Sequence, residues 1–210
     1  RESMSPDNIR GRPIPIHRAS SSPPHLNLSL TRPVEGLLFD ADDVLYDTTT
    51  WRRWLLQLLK RLGLYANYRS LFYIWDHDFL PDVYRGRRDF RETFQAFLLS
   101  IGLSRAQIDE VAASCQSRRN QWAVETRPLP EVKSTLAELQ AAGIALGVIC
   151  DCELPAAELT ERLARFGIGG LFATVVSSLD LGRTTPDPTP YLAALADLKL
   201  RPNQAASVGY

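Results

Sequence analysis

Leu37-Leu38-Phe39-Asp40-Ala41-Asp42-Asp43-Val44-Leu45-Tyr46-Asp47 is the stretch on which the fold turns. An apolar run ends in two carboxylates spaced two residues apart, with a third adjacent. A short run of this kind predicts a buried strand, and ligands of open α/β sheets sit just beyond strand ends. In extended backbone, residues two apart point to the same side, so Asp40 and Asp42 project together. Like charges this close repel unless a cation, a hydrogen-bond network or a proton relieves them. Two readings stand at this point: an acidic turn after a strand, or a pair with chemical work to do.

Working outward, the 210-residue chain is long enough for one large domain, or a core carrying an insertion. An apolar content of 45% supports a real core, and a formal net charge of zero argues against a nucleic-acid partner. No apolar run approaches the roughly 20 residues that cross a bilayer, so no membrane partner is expected. Three cysteines, Cys115, Cys150 and Cys152, make an odd set without zinc-type spacing. A reducing, cytoplasmic setting fits them better than a disulfide framework. Residues 1–33 hold six of the fourteen prolines and the run Ser20-Ser21-Ser22-Pro23-Pro24, which predicts a disordered tail. His17 and His25 in this tail are read as solvated.

After the acidic cluster, Thr48-Thr49-Thr50 suits a helix start, and Trp51, Trp54, Leu55, Leu58, Leu59 and Leu62 form a helical stripe. Arg52, Arg53, Lys60 and Arg61 fall off that face, and Gly63 suits the helix end. Further helices are expected over 67–77, over 89–100 with Phe90, Phe94 and Phe97 aligned, and from the Ser104/Gln107 capping box to about Trp122. From residue 130 onward the rhythm changes. Helices over 130–142, 155–166 and 188–198 alternate with apolar strands over 144–150, 172–177 and 205–209. Such alternation means a parallel sheet wound by right-handed crossovers.

Four segments in order carry a resemblance to the haloacid dehalogenase-like hydrolases with a helical cap, over about residues 34–210. Asp40-Ala41-Asp42-Asp43-Val44-Leu45 resembles the first motif of that family. Pro128-Leu129-Pro130-Glu131-Val132 and Leu139-Gln140-Ala141-Ala142-Gly143-Ile144 are similar to the segment joining cap to core. Thr185-Pro186-Asp187-Pro188 with Tyr191, and Ser207-Val208-Gly209, resemble the later motifs. The resemblance implies an α/β fold: a Rossmann-like parallel sheet core, residues 34–47 and 126–210, with a four-helix cap, residues 48–125, inserted after the first strand. It implies a phosphatase acting on a small phosphorylated substrate. Asp40 would be the nucleophile that becomes an aspartyl-phosphate, and Asp42 the acid/base. Magnesium would be held by Asp40 and Asp42, and phosphate would be faced by Cys150, Asp151 and Thr185. Asp42 separates this pattern from the dehalogenases, which lack the second Asp.

The same comparison exposes departures. Cys150 stands where the family has a Ser or Thr hydroxyl, and a thiol is a weak donor. A small buried hydrophobe is the favoured reading of this thiol over a redox or metal role. Thr185 replaces a lysine whose pairing with the nucleophile, at ~4 Å and an effective dielectric near 20, is worth roughly 4 kcal/mol. Arg183 is either a substitute for it or a surface arginine. Tyr210 falls where a metal-binding Asp is expected, so the chain reads as truncated, a complete but degenerate protein being the alternative. Asp43 is a spare metal ligand or a solvated turn residue. Arg85, Arg87, Arg88 and Arg91, with His77 nearby, either greet an anionic substrate from the cap or form a solvated helix face. Trp51, Trp54 and Trp122 are expected in the cap core. The rival to the hydrolase is a pseudoenzyme or ligand-binding protein that keeps the fold without turnover.

Overall fold

A computed structural model describes residues 34–209; the expected tail with His17 and His25, and Tyr210, lie outside the described residues. Strand β1, Gly36–Asp40, is followed by five helices: α1 (Thr49–Arg61), α2 (Tyr68–Ile74), α3 (Leu80–Tyr84), α4 (Phe90–Ser100) and α5 (Arg105–Glu125). Then come α6 (Val132–Ala141), β2 (Ala145–Cys150), α7 (Ala156–Arg165), β3 (Thr174–Ser177), α8 (Ser178–Leu181), α9 (Pro188–Leu198) and β4 (Ala205–Val208). The four strands are parallel in the order β3-β2-β1-β4. The fold is the expected α/β arrangement of a Rossmann-like parallel sheet with an inserted helical cap.

Alternation along β1 explains why helices cover both faces of the sheet. Phe39 packs with Leu146, Val148, Leu159 and Leu163 on one face, whereas Leu38 packs with Ile149, Val176, Ala194 and Leu195 on the other. Helix α7 therefore lies on the first face and α9 on the second. The chain steps from β2 outward to β3, then returns past β1 to β4. The crossovers thus diverge at β1, and that divergence opens a crevice beyond its carboxyl end.

The cap has its own apolar centre, with Leu55, Leu58, Leu59, Leu71, Phe72, Trp75, Phe97 and Leu98 buried together. Trp75 is enclosed by Phe79, Phe90, Phe94 and Phe97 at ring separations of 6.2, 5.8, 5.5 and 5.0 Å. Trp54 meets Trp122 edge-on at 4.8 Å and Trp51 meets Phe72 at 5.7 Å, which places the three tryptophans in packing. The second cap helix runs further than the pattern over 67–77 suggests. A π turn at Trp75–Phe79 carries it into α3, where Pro81 occupies the first turn. A proline lacks the N–H of the regular ladder, and a helix start tolerates that loss.

Arg52 also departs from expectation. It is half-buried, donates both Nη atoms to the Asp76 carboxylate at 2.8 Å, and lies 5.0 Å from the Phe72 ring. Long side chains bury their stems beside an apolar stripe, so a residue just off the stripe becomes a staple. Among the described residues no helix is long and apolar enough to cross a membrane.

Candidate active site

The turn after β1 is set by its backbone. Leu45 N donates to Ala41 O at 2.9 Å, and Asp43 N donates to Tyr46 O at 2.9 Å. Asp43 adopts φ of 57°, a conformation that Asp tolerates better than most residues. Its Oδ1 accepts from Thr48 N at 2.9 Å and Thr48 Oγ1 at 2.8 Å. Asp43 is an exposed turn residue, as one of the two readings has it, and it ties the turn to the start of α1. Asp47 completes the tie, accepting from Thr49 N and Oγ1 at 2.7 and 2.6 Å. The capping expected of the threonine run is supplied by these two carboxylates.

Asp40, the last residue of β1, pairs in register with Ile149 of β2, so both strands end at one place. There a cleft of about 110 Å³ is lined by Asp40, Ala41, Asp42, Ile149, Cys150, Asp151 and Thr185. All five residues singled out from the sequence meet in it. On the far side of β1, a β-carbon on Gly209 would overlap the Asp40 carboxylate. The end of β4 approaches that carboxylate as closely as it does because residue 209 is glycine.

Asp42 lies deepest. Burial pushes its carboxyl up from the usual 3.8 to about 6; the nearby Tyr46 hydroxyl and Arg162 pull it back, while Glu153 and Asp43 add to the rise. Tyr46 is itself buried, its hydroxyl left without a partner of hydrogen-bond geometry, and the Arg162 guanidinium lies 6.0 Å from its ring centre. Burial and the Asp42 charge push the Tyr46 phenol upward. Tyr84 at the end of α3 reaches the same neighbourhood: burial, then Glu153 and Asp42, raise its phenol well above the ordinary range. None of Tyr46, Tyr84, Glu153 or Arg162 was singled out from the sequence. Arg162 carries the only faint signal, a cation beside the buried Leu159 and Leu163 of α7.

The opposite wall is bound to itself. Thr185 donates through N, at 3.0 and 3.2 Å, and through Oγ1, at 2.6 Å, to the Asp151 carboxylate. Burial raises Asp151, against the pull of Thr185 and the Arg85 charge. The Cys150 thiol is 3% exposed and held above its usual range by the adjoining Cys152 thiol and by burial, so it stays neutral. Arg183 does not turn inward; its Nε sits 3.9 Å from Asp187. The expected cap cluster divides. Arg87 and Arg88 face Asp82 at 3.6 and 3.8 Å, and His77 stacks on Tyr73 at 4.0 Å. Arg85 is hydrogen-bonded to the core, with Nε and Nη2 donating to Thr184 Oγ1 at 3.2 and 3.0 Å, while Arg87 and Arg88 border a separate pocket with Glu153 and Leu179.

The Asp40 carboxylate and the Asp42 backbone carbonyl are hard oxygens of the kind magnesium accepts, water and phosphate filling the other positions. Among the described residues no set of three or more His, Cys, Asp or Glu side chains is disposed as an all-protein metal cage. The donor set, oxygen only, is chemically compatible with magnesium.

Comparison with known proteins agrees with this geometry. The sequence matches the haloacid dehalogenase-like hydrolase family over residues 34–209. It is 27% identical over 184 residues to a glyceraldehyde 3-phosphate phosphatase of Methanopyrus kandleri, covering 84% of this chain and 75% of the relative. A phosphoglycolate phosphatase of Aquifex aeolicus is 32% identical over 87 residues, 41% of this chain and 39% of that one. The crystal structure of a putative beta-phosphoglucomutase from Thermotoga maritima superposes with a TM-score of 0.60 at 19% identity, covering 83% of this chain and 75% of that one. The chain belongs to the haloacid dehalogenase-like hydrolase family.

Proposed function

We propose that this hydrolase is a magnesium-dependent phosphatase acting on a small phosphorylated substrate through an aspartyl-phosphate on Asp40. One observation carries the reading: Asp40 and Asp42 share a small cleft at the strand-end crevice with Cys150, Asp151 and Thr185. In this reading residues 34–47 and 126–210 form the catalytic core, and residues 48–125 the cap. The phosphatases among the relatives support the substrate class.

The chemistry follows from where the carboxylates stand. An Asp40 oxygen attacks phosphorus while Asp42, in the turn that follows the strand, gives its proton to the departing oxygen. The same Asp42 then takes a proton from the water that cleaves the acyl phosphate. A carboxyl raised to about 6 by burial is matched to both halves of that task near neutral pH. The Asp40 carboxylate and the Asp42 backbone carbonyl would hold magnesium, which supplies charge neutralisation at the transferred phosphoryl group. Cys150, Asp151 and Thr185 would face the phosphate from the β2 side. Because the cleft holds little more than a phosphoryl group, the rest of the substrate extends toward the cap.

The second reading, a fold-retaining pseudoenzyme or ligand-binding protein, is favoured by the opposite wall, where Thr185 is spent on Asp151 and no lysine stands. Hydrolysis of an aryl phosphate with magnesium separates the two when wild type is compared with Asp40→Asn. Turnover by wild type alone is expected, whereas equal rates from both proteins would remove Asp40 from the mechanism.

A further inference from the structure

We propose that Arg85, a cap residue, is the cation that receives the phosphoryl group in this chain; the identity of that ligand rests on the phosphatase reading. The cleft is lined by three carboxylates, Asp40, Asp42 and Asp151, and by no arginine or lysine. An anion entering such a place is repelled, and a metal held by Asp40 and Asp42 offsets only their side of the cleft. The Asp151 and Thr185 side needs a positive charge from elsewhere.

The surrounding cations can be sorted by what they touch. Arg183 is turned toward Asp187, and Arg87 and Arg88 toward Asp82. Arg162 lies against the Tyr46 ring, with its charge felt at Asp42. Arg85 is bound to Thr184, the residue immediately before cleft-lining Thr185, and its charge is felt at Asp151. Those two bonds, from Nε and Nη2, use two of the five N–H groups of a guanidinium, whose fork matches two phosphoryl oxygens. Thr184 is nearly buried and so gives the guanidinium a fixed anchor.

The backbone of Arg85 belongs to the cap, where its N–H closes the last turn of α3 on Pro81 O at 3.3 Å. Its own carbonyl approaches Gly182 of the core loop that leads to Thr184. The charge is therefore in place only while the end of α3 is seated on residues 182–184. Phosphate recognition and cap seating become one event. In the family pattern a lysine at position 185 would hold the charge within the core.

Binding of inorganic phosphate in the presence of magnesium, followed by calorimetry or phosphorus NMR on the full chain, tests the assignment. Arg85→Gln is expected to weaken binding by about tenfold or more, and Arg85→Lys to restore part of the loss. Thr184→Val should fall in between, and Arg87→Gln should bind as wild type does. With an aryl phosphate the Arg85→Gln defect should appear mainly in KM. Thermal melting of each variant identifies any that fail to fold. Wild-type affinity in a folded Arg85→Gln protein, or no phosphate binding by the wild type, would overturn the proposal. If phosphate binding depends on Arg85 while wild type and Asp40→Asn hydrolyse equally, the nucleophile assignment falls and this one stands.

Discussion

The two walls of the cleft are built on different terms. On the β1 side the backbone does the positioning: two hydrogen bonds close the turn, and Asp43 and Asp47 lock it to α1. The side chains of Asp40 and Asp42 are thereby carried to the cleft. On the β2 side, the side chains consume one another. Thr185 is held by Asp151, and Cys150 offers a neutral thiol beside Cys152. The carboxylates that the proposed reaction would use are in place, while the positions that would greet an anion are replaced or engaged. A wall organised by main chain tolerates drift in its neighbours; a wall that works through donor side chains loses function with single substitutions.

The sharpest way to break this contrast is to disable the intact wall. Asp40→Asn keeps the size and most of the packing but removes the nucleophile. Turnover of an aryl phosphate should fall by about 10⁴-fold or more, with little change in melting temperature. A smaller loss would mean that the β1 wall is no more functional than the β2 wall.

Asp42→Asn should cost about 10²–10⁴ in turnover, the range of a lost general acid/base. It should also stabilise the metal-free protein. The folded state holds the Asp42 proton up to about pH 6, against 3.8 for the usual carboxyl, so between those values it binds more protons than the unfolded chain. Wild-type stability therefore falls as pH rises through that window, and the Asn variant escapes the loss. Denaturant titrations with chelator should give equal stabilities below about pH 3 and a gap of about 3 kcal/mol above about pH 7. A gap that is absent or reversed would show the Asp42 charge to be well accommodated without a cation.

Repairing the other wall sharpens the comparison from the opposite side. Thr185→Lys places an ammonium between Asp151 and the cleft, replacing the hydroxyl that Asp151 now accepts from. Against an ideal pair worth roughly 4 kcal/mol, a rise in kcat/KM of about tenfold to a hundredfold is expected once rotamer freedom and the lost hydrogen bond are counted. In the Arg85→Gln background the gain should be larger, since the new charge then has no competitor. No gain in either background would place the limitation elsewhere than in the missing charge.

How much of this was legible in the sequence follows the same division. The apolar run ending in Asp40-Ala41-Asp42 named its strand, its end and its pair, because strand periodicity and charge repulsion act locally. The cap stripe at Leu55, Leu58 and Leu59 and the Ser104/Gln107 capping box were equally readable, and both are present. The π turn at Trp75–Phe79 was not, since Pro81, just beyond the expected helix over 67–77, reads as a stop rather than a continuation. Tyr46, Tyr84, Glu153 and Arg162 converge on Asp42 from four elements, and nothing in their local spacing announces it. The Arg85 anchor on Thr184 joins residues 99 positions apart, a pairing that only the packing of cap on core creates.

Cys150→Ser is the mildest probe and asks whether the β2 wall can be mended without charge. The thiol sits at the end of β2, buried at 3% exposure and lining the cleft. A hydroxyl of nearly the same size donates a far better hydrogen bond to a phosphoryl oxygen, so phosphate affinity should rise by a few-fold. In the empty cleft the hydroxyl must find a partner or remain buried without one, which costs about 1–2 kcal/mol of stability. Calorimetry with phosphate and a melt without it read the two effects separately, and they should oppose each other. If stability falls and affinity does not rise, Cys150 belongs to the apolar layer formed with Val148 and Leu146, and the anion is met by Arg85 without help from β2.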